Sequence, residues 1–327
     1  MSSGDLVPVG KSKALARGDS GGLPAIVVDA GVAAETAWAD FFDGTLANGH
    51  TRAAYNRAVR GFLAWAQEQG RALHQITAGD VGRYLRQHPG SLPTKKQHIA
   101  ALRRFFDLLV ERHLVILNPA AVAKTERYQV LEGKTPKISH QQARTLLAAI
   151  DVDDVVGLRD RAVIATLIYT AARAGAVAKL RVQDLHRSDE QWLLHFDDKR
   201  GKSREIPVRH DLEGFLRQYM GMSGADDEPK ESPLFRTAVR NERRLTARAM
   251  TGQDICLMVK RRLERASLPG DLSPHSFRVA TATDLLEQGV PVEDVQYLLG
   301  HSDPRTTRLY DRREQKVTRN LVERISI

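Results

Sequence analysis

Six residues in this chain have side chains suited to one piece of chemistry: Arg173, Lys199, His275, Arg278, His301 and Tyr310. Most of them fall in one stretch, HSFRVATATDLLEQGVPVEDVQYLLGHSDPRTTRLY (residues 275–310), with Arg278 three residues after His275 and Tyr310 nine after His301. A tyrosine hydroxyl, with an ordinary pKa of about 10, is a poor nucleophile unless a neighbour helps remove its proton or stabilises the charge it generates. Histidine titrates near working pH and can move such a proton. Arginine offers permanently charged, bidentate donors to oxyanions, which a lysine reproduces poorly. Each residue alone is weak evidence, because a histidine on a helix is usually structural. The ordered set is what carries the reading.

Composition limits what that set can act on. At 327 residues, and with roughly 150 residues per domain as a soft prior, two domains are expected. The formal net charge is +9, from 49 Lys plus Arg against 40 Asp plus Glu, which favours an anionic partner, nucleic acid first. Residues 51–130 hold 13 Lys plus Arg and 5 Asp plus Glu, a net of 13 − 5 = +8, so nearly all of the excess sits there. No apolar run approaches the about 18 residues of a spanning helix. The apolar patch Pro24 to Val28 is cut off by Asp29, too short for a signal-peptide core, so a cytoplasmic protein without membrane attachment is expected. The single cysteine, Cys256, cannot form an internal disulfide and reads as a buried structural thiol.

Residues 1–30 read as a flexible basic tail, rich in small residues and without a sustained period. From there to residue 123 the pattern is helical. Trp38, Phe41 and Phe42 share a stripe; Thr51 is the expected N-cap of a helix with Tyr55, Val59, Phe62 and Trp65 or Ala66 inward. A third helix starts near Asp80 and a fourth runs from about Thr94 to His113, and no strand is visible. Off the apolar stripes lie Arg52, Asn56, Arg60, Lys95, Lys96, Gln97, Arg103 and Arg104, the candidates for DNA contact. Residues 124–137 read as an exposed linker, and residues 138–327 as a second domain.

That second domain opens on a capping box, Ser139 to Gln142, followed by a strongly apolar helix that delivers Arg173 at or just past its end. Trp192 to Phe196 and Ile206 to Val208 are strand candidates joined by a charged turn, so a hairpin presents Lys199 near its tip, with Lys202 three residues on. Helices over Leu212 to Met220 and Thr251 to Ala266 precede the stretch from His275. Val317, Leu321 and Ile325 recur at helical spacing, giving an amphipathic C-terminal helix over 315–327. It can dock on its own domain or on a second protomer.

With Arg173, Lys199, His275-x-x-Arg278, Leu298-Leu299-Gly300-His301 and Tyr310 in this order, the chain resembles the tyrosine recombinase or phage integrase family, with its Xer- and Cre-like members. The resemblance covers residues 35–325 and is strongest over HSFRVATAT and LLGHSDPRTTRLY. It implies a mainly α fold: a helical, SAM-like core-binding domain and a mostly helical catalytic domain with a small β-sheet or hairpin, closing as a C-shaped clamp on duplex DNA. It further implies strand cleavage by Tyr310 through a 3′-phosphotyrosyl link, with Arg173 and Arg278 on the phosphate, His275 in proton transfer, His301 hydrogen-bonding the phosphate and Lys199 as general acid. Lys202 is either a rival acid or a backbone-phosphate contact. No metal and no cofactor is expected, since the arginines supply the charge and the covalent link conserves the bond energy. The implied partners are a double-stranded recombination site and further copies of the chain in a synaptic tetramer on DNA.

Around Arg173 the family form is Thr-Gly-x-Arg followed by Glu; here Ala171 replaces the glycine and Ala176 the acid, and Val279 follows Arg278 where many members have a histidine. Two other readings compete. A non-catalytic helix-turn-helix regulator accounts for the sequence around Gly289 but leaves the ordered set unexplained. A type IB topoisomerase shares the chemistry but acts on arbitrary DNA.

Overall fold

Two aromatic-rich and aliphatic-rich cores form separately in the computed structural model, which describes residues 22–124, 135–197, 203–239, 242–301, 306–307 and 310. They belong to two compact units, Met1–Gln129 and Val130–Ile327. The expected N-terminal tail up to residue 21, most of the linker, Lys199, Lys202 and the C-terminal helix lie outside the described residues.

The first unit is helical: α1 (Ala25–Val28), α2 (Val32–Ala39), α3 (Gly49–Glu68), α4 (Ala78–Gln87) and α5 (Leu92–Glu111). Its core gathers Trp38, Phe41, Phe42 and Phe105, with ring centroids 4.5 Å apart for Trp38–Phe42 and 5.3 Å for Phe41–Phe105. Two expectations change here. Residues read as the end of a tail form α1, whose Ile26 and Val27 are buried in the core; Asp29 ends the apolar run without ending the packing. The cap of α3 is Asn48, not Thr51, because the Asn48 side chain already accepts from the His50 and Thr51 backbone N–H groups. α4 begins after a capping box in which Thr77 and Asp80 exchange hydrogen bonds.

In the second unit α6 (His140–Ala148) starts at the Ser139–Gln142 box, and α7 (Val155–Thr170) is buried along nearly its whole length, as its unbroken apolar run requires. After it come α8 (Ala174–Val177), an antiparallel sheet β1 (Leu185–Ser188), β2 (Gln191–Asp197) and β3 (Ser203–Pro207) in the order β1-β2-β3, and α9 (His210–Ser223). A second pair, β4 (Arg236–Ala238) with β5 (Leu245–Ala249), leads into α10 (Gly252–Arg265), α11 (Pro274–Glu287) and α12 (Val292–Leu299). The sequence reading has β2 and β3 but not β1, β4 or β5. These are short, half-exposed strands carrying arginine and threonine, without the apolar alternation that marks a strand. Cys256 on α10 is half-buried rather than fully buried, and its thiol is pushed up by the burial it has, away from a reactive thiolate. Among the described residues no helix is long and apolar enough to cross a membrane.

Candidate active site around Tyr310

Backbone geometry sets the frame of the site. α7 ends at Ala171, which adopts a left-handed conformation (φ 50°, ψ 23°). That turn releases the helix, aims the Ala171 carbonyl at α11, and leaves Arg173 as the residue before α8. Pro274 at the first turn of α11 starts the helix that holds His275 and Arg278 one turn apart. Thr281 ties α11 back to α7 by donating to Ile168 O at 2.8 Å. α12 ends at Gly300 (φ 60°), with the Gly300 N–H on Tyr297 O and the His301 N–H on Gln296 O, a glycine C-cap that turns His301 back toward α11.

Arg278 is the centre of this frame. It is only 1% exposed, yet it carries a guanidinium. Its Nη1 donates to Ala171 O and its Nη2 to Leu299 O, both at 2.6 Å, and Nη2 also lies 2.7 Å from His301 Nε2. Its Nε has no hydrogen-bond partner, a buried donor left open. Burial, with the neighbouring charge of Arg173, brings the Arg278 pKa down to about 10, and the Tyr310 hydroxyl opposes that shift. The group therefore stays charged at neutral pH.

The protonation of His301 follows from its partners. A guanidinium can only donate, so Nε2 accepts from Arg278, and the proton resides on Nδ1, which donates to Thr307 Oγ1 at 2.9 Å. Desolvation first, then the charges of Arg278, Arg173 and Arg204, hold the His301 pKa down to about 3. His275 is exposed as a residue, but partial desolvation of its ring and then Arg278 and Arg173 also keep its pKa below the ordinary value. Both imidazoles are neutral at neutral pH.

Tyr310 sits between them. Its ring centroid is 5.9 Å from that of His301, nearly parallel at 17°, and 6.4 Å from that of His275. It is 6% exposed and packs with Ala171, Val279, Ala282, Leu286, Val295 and Leu299. Thr283 fixes its backbone by donating to Tyr310 O at 3.3 Å. The Tyr310 hydroxyl is thus held against the Arg278 guanidinium, and its ring lies between two neutral imidazoles.

Both units match models of one protein family. Residues 136–316 match the phage integrase family and residues 46–113 its N-terminal SAM-like domain. The tyrosine recombinase XerD of Ralstonia nicotianae is 32% identical over 265 residues, covering 80% of this chain and 83% of that protein. The chain belongs to the phage integrase family of tyrosine recombinases. A second XerD, from Shewanella oneidensis, is 29% identical over 80% of this chain and 85% of its own length. The fold is that of a lambda integrase dimer bound to a COC′ core site, with a TM-score of 0.64 at 15% identity, covering 87% of this chain and 97% of that one. It is also that of the XerH site-specific recombinase bound to palindromic difH substrate (TM-score 0.63, 18% identity, 79% and 75% covered).

Against the family pattern, Arg173 stands apart from Arg278. It is exposed, and among the described residues no carboxylate or carbonyl binds its guanidinium, which agrees with the replacement of the family acid by Ala176. Its charge still bears on His275, Arg278 and His301, so it faces the same spot. Lys199 and Lys202 lie outside the described residues.

Most of the candidate DNA contacts of the SAM-like domain are bound to their own backbone or neighbours. Arg52 donates through Nε (3.2 Å) and Nη2 (3.0 Å) to Leu46 O. Arg60 holds Asn56 Oδ1 at 2.6 Å and Gly22 O at 2.8 Å while its guanidinium lies 5.0 Å from the Trp38 ring centroid. Lys95 reaches Arg86 O at 3.5 Å, Lys96 is half-buried, Gln97 is exposed, and Arg104 donates to Thr45 O at 3.3 Å. Arg103 binds both Ala120 O (3.1 Å) and Ala123 O (2.7 Å), closing the segment after α5.

Sequence reasoning missed the carbonyls of Ala171 and Leu299, Thr307, and Arg204, which is buried on β3 and donates to Leu298 O. A signal for Arg204 does exist: in the alternation of β3 it shares the inward face with Ile206.

Proposed function

We propose that the chain is a site-specific DNA recombinase in which Tyr310 Oη attacks a backbone phosphorus, forming a 3′-phosphotyrosyl link as the bond to the 5′-oxygen breaks. The observation that carries this reading is the convergence of Arg278, His275 and His301 on a single tyrosine. His275, neutral and beside the ring, takes the phenolic proton; Lys199 delivers a proton to the departing 5′-oxygen, so a free 5′-hydroxyl is left. Arg278 and the unpartnered Arg173 hold the non-bridging oxygens, where charge develops in the transition state. His301 has no proton to offer at Nε2 while Arg278 donates to it. An incoming phosphate supplies negative charge that offsets the arginines, raises the His301 pKa and turns it into a donor. Rejoining runs the same steps backwards with the 5′-hydroxyl of another strand as nucleophile, so strand exchange on paired duplex sites needs several copies of the chain, with the 315–327 helix as the candidate link between them. The SAM-like domain, through Arg52, Asn56, Arg60, Lys95, Lys96, Gln97, Arg103 and Arg104, and Lys202 in the second unit supply the remaining grip on DNA. The setting is the cytoplasm, on mobile DNA or replicon dimers.

The test is covalent. A pool of nicked random-sequence duplexes is incubated with the protein and denaturant-stable adducts are recovered and sequenced. Adducts are expected from the wild type, enriched in one inverted repeat, and none from Tyr310→Phe at equal binding. Adduct formation by Tyr310→Phe would move the nucleophile elsewhere; binding without any adduct from the wild type would leave a DNA-binding regulator.

A further inference from the structure

The C-terminal turn of α12 is held by arginines from two different elements. Leu299 O accepts from Arg278 of α11, and the preceding carbonyl, Leu298 O, accepts from Arg204 of β3, 94 positions away in sequence. The last carbonyls of a helix lack intrahelical partners and carry its negative dipole end, so each is a natural seat for a cation. Arg204 is 4% exposed, and a guanidinium that deeply buried is tolerable only with acceptors and a ring face to hold it. It has both: Leu298 O, and the Phe196 ring whose centroid lies 5.7 Å from its guanidinium carbon. Phe196 is also its register partner on β2.

What lies on each side of this contact gives it meaning. Arg204 is the second residue of β3, and Lys199 stands five residues before it, two residues after Asp197, where β2 ends. Beyond Leu298 come Leu299, which holds Arg278, and the Gly300 turn to His301, itself closed by Gln296 Nε2 on His301 O at 3.0 Å. A shift of the α12 end relative to β3 therefore changes the spacing between the start of β3, which Lys199 precedes in sequence, and the groups that surround Tyr310.

We propose that Arg204 is a positioning residue for strand cleavage: it locks β3, and with it the chain that leads back to Lys199, to the α12 turn that holds His301 and Arg278. This rests on the recombinase reading, with Lys199 as general acid. Arg204 touches no reacting atom; it acts through the register of the acid against the phosphate site.

The experiment uses full-length protein and a nicked duplex recovered by covalent capture on the wild type, made in two forms: the ordinary phosphodiester, and one with sulfur replacing the bridging 5′-oxygen. A thiolate leaves without a proton, so the ratio of sulfur to oxygen cleavage rates reports on the general acid. Arg204→Met, which keeps the stem and removes the charge, is expected to cut the oxygen substrate about 10²-fold more slowly, the scale of a misplacement of about 1 Å. Its sulfur-to-oxygen ratio should rise by about tenfold or more, as in Lys199→Ala, on the scale of a lost general acid. Arg204→Lys is expected between wild type and Met in both. Wild-type rates in the Met variant, or equal slowing on both substrates, would overturn the proposal, the second because the lost function is then not the acid's. If Arg204→Met lacks a cooperative melt, Arg204→Lys decides on the same ratio, an unchanged ratio counting against it. A wild type that captures no duplex is a different failure: it removes the recombinase reading and this inference with it.

Discussion

Arginine meets backbone carbonyl in both units, and the two settings differ in what the contact can become. In the SAM-like domain Arg52, Arg103 and Arg104 hold Leu46, the 120–123 turn and Thr45 from exposed or half-exposed positions. There a phosphate oxygen or water can replace a carbonyl at small cost. Around Tyr310, Arg278 makes the same kind of bonds while nearly sealed from solvent. Releasing a carbonyl is then possible only if another acceptor arrives with the substrate, because an uncompensated buried charge is destabilising by several kcal/mol. On the proposed function, surroundings, more than residue type, separate an arginine available for grip from one kept for reaction.

The widest gap between the two settings should appear in Arg278→Ala. Losing a donor to the transition state is expected to slow adduct formation by about 10²–10³-fold. The orphaned Ala171 and Leu299 carbonyls should cost a further about 1–3 kcal/mol in urea unfolding. A variant that unfolds like the wild type would mean that those carbonyls find water, and that the site is wetter than described.

A smaller effect concerns pH. The folded His301 pKa of about 3 lies below the ordinary 6.5, so the unfolded chain takes up the extra proton. Stability is complete above the unfolded pKa and is lost as pH falls through that range toward the folded value. Between pH 7.5 and 5.5 His301 alone should account for about 1.4 kcal/mol, with His275 adding in the same direction. Chemical melts at the two pH values should show the loss in the wild type and a flatter profile in His301→Gln. An equal slope in both would place the titration elsewhere.

In the SAM-like domain the expected effects are smaller and of another kind. Arg103→Ala should lose about 1 kcal/mol by freeing the 120–123 turn, read by thermal denaturation. Arg52→Ala and Lys96→Ala should leave stability within about 0.5 kcal/mol but lower the slope of log affinity against log salt by about 0.9 for each phosphate contact removed. Unchanged slopes would assign these side chains to the fold alone. Least of all, Ala171→Gly relieves a left-handed alanine, worth about 1 kcal/mol, and removes a buried methyl worth about 0.8, so its melting point should hardly move.

Much of this was legible in the sequence because it is local. His275 and Arg278 fall one turn apart on one helix, and the Ser139–Gln142 box opens α6 as its residue types require. What escaped depends on distance or on competition. Asn48 displaced Thr51 as a cap because its side chain reaches two N–H groups from three positions earlier. Ile26 and Val27 look like tail residues until the α3 and α5 core gives them a place to pack. β4 and β5, which carry Arg236 and Arg248, are too polar for their periodicity to be read. The clamp of Arg204 on Leu298 joins residues that no local pattern connects.

The hold on Arg278 has an evolutionary side. Its fixed acceptors are main-chain carbonyls, at Ala171 and Leu299, and a carbonyl survives every substitution of the side chain beside it. Mutational drift at those positions can erode packing or backbone preference but cannot delete the acceptor in one step, as it could delete a glutamate. An alanine can therefore stand in a left-handed turn at position 171, and another at 176, while the arginine at the heart of the site keeps its place.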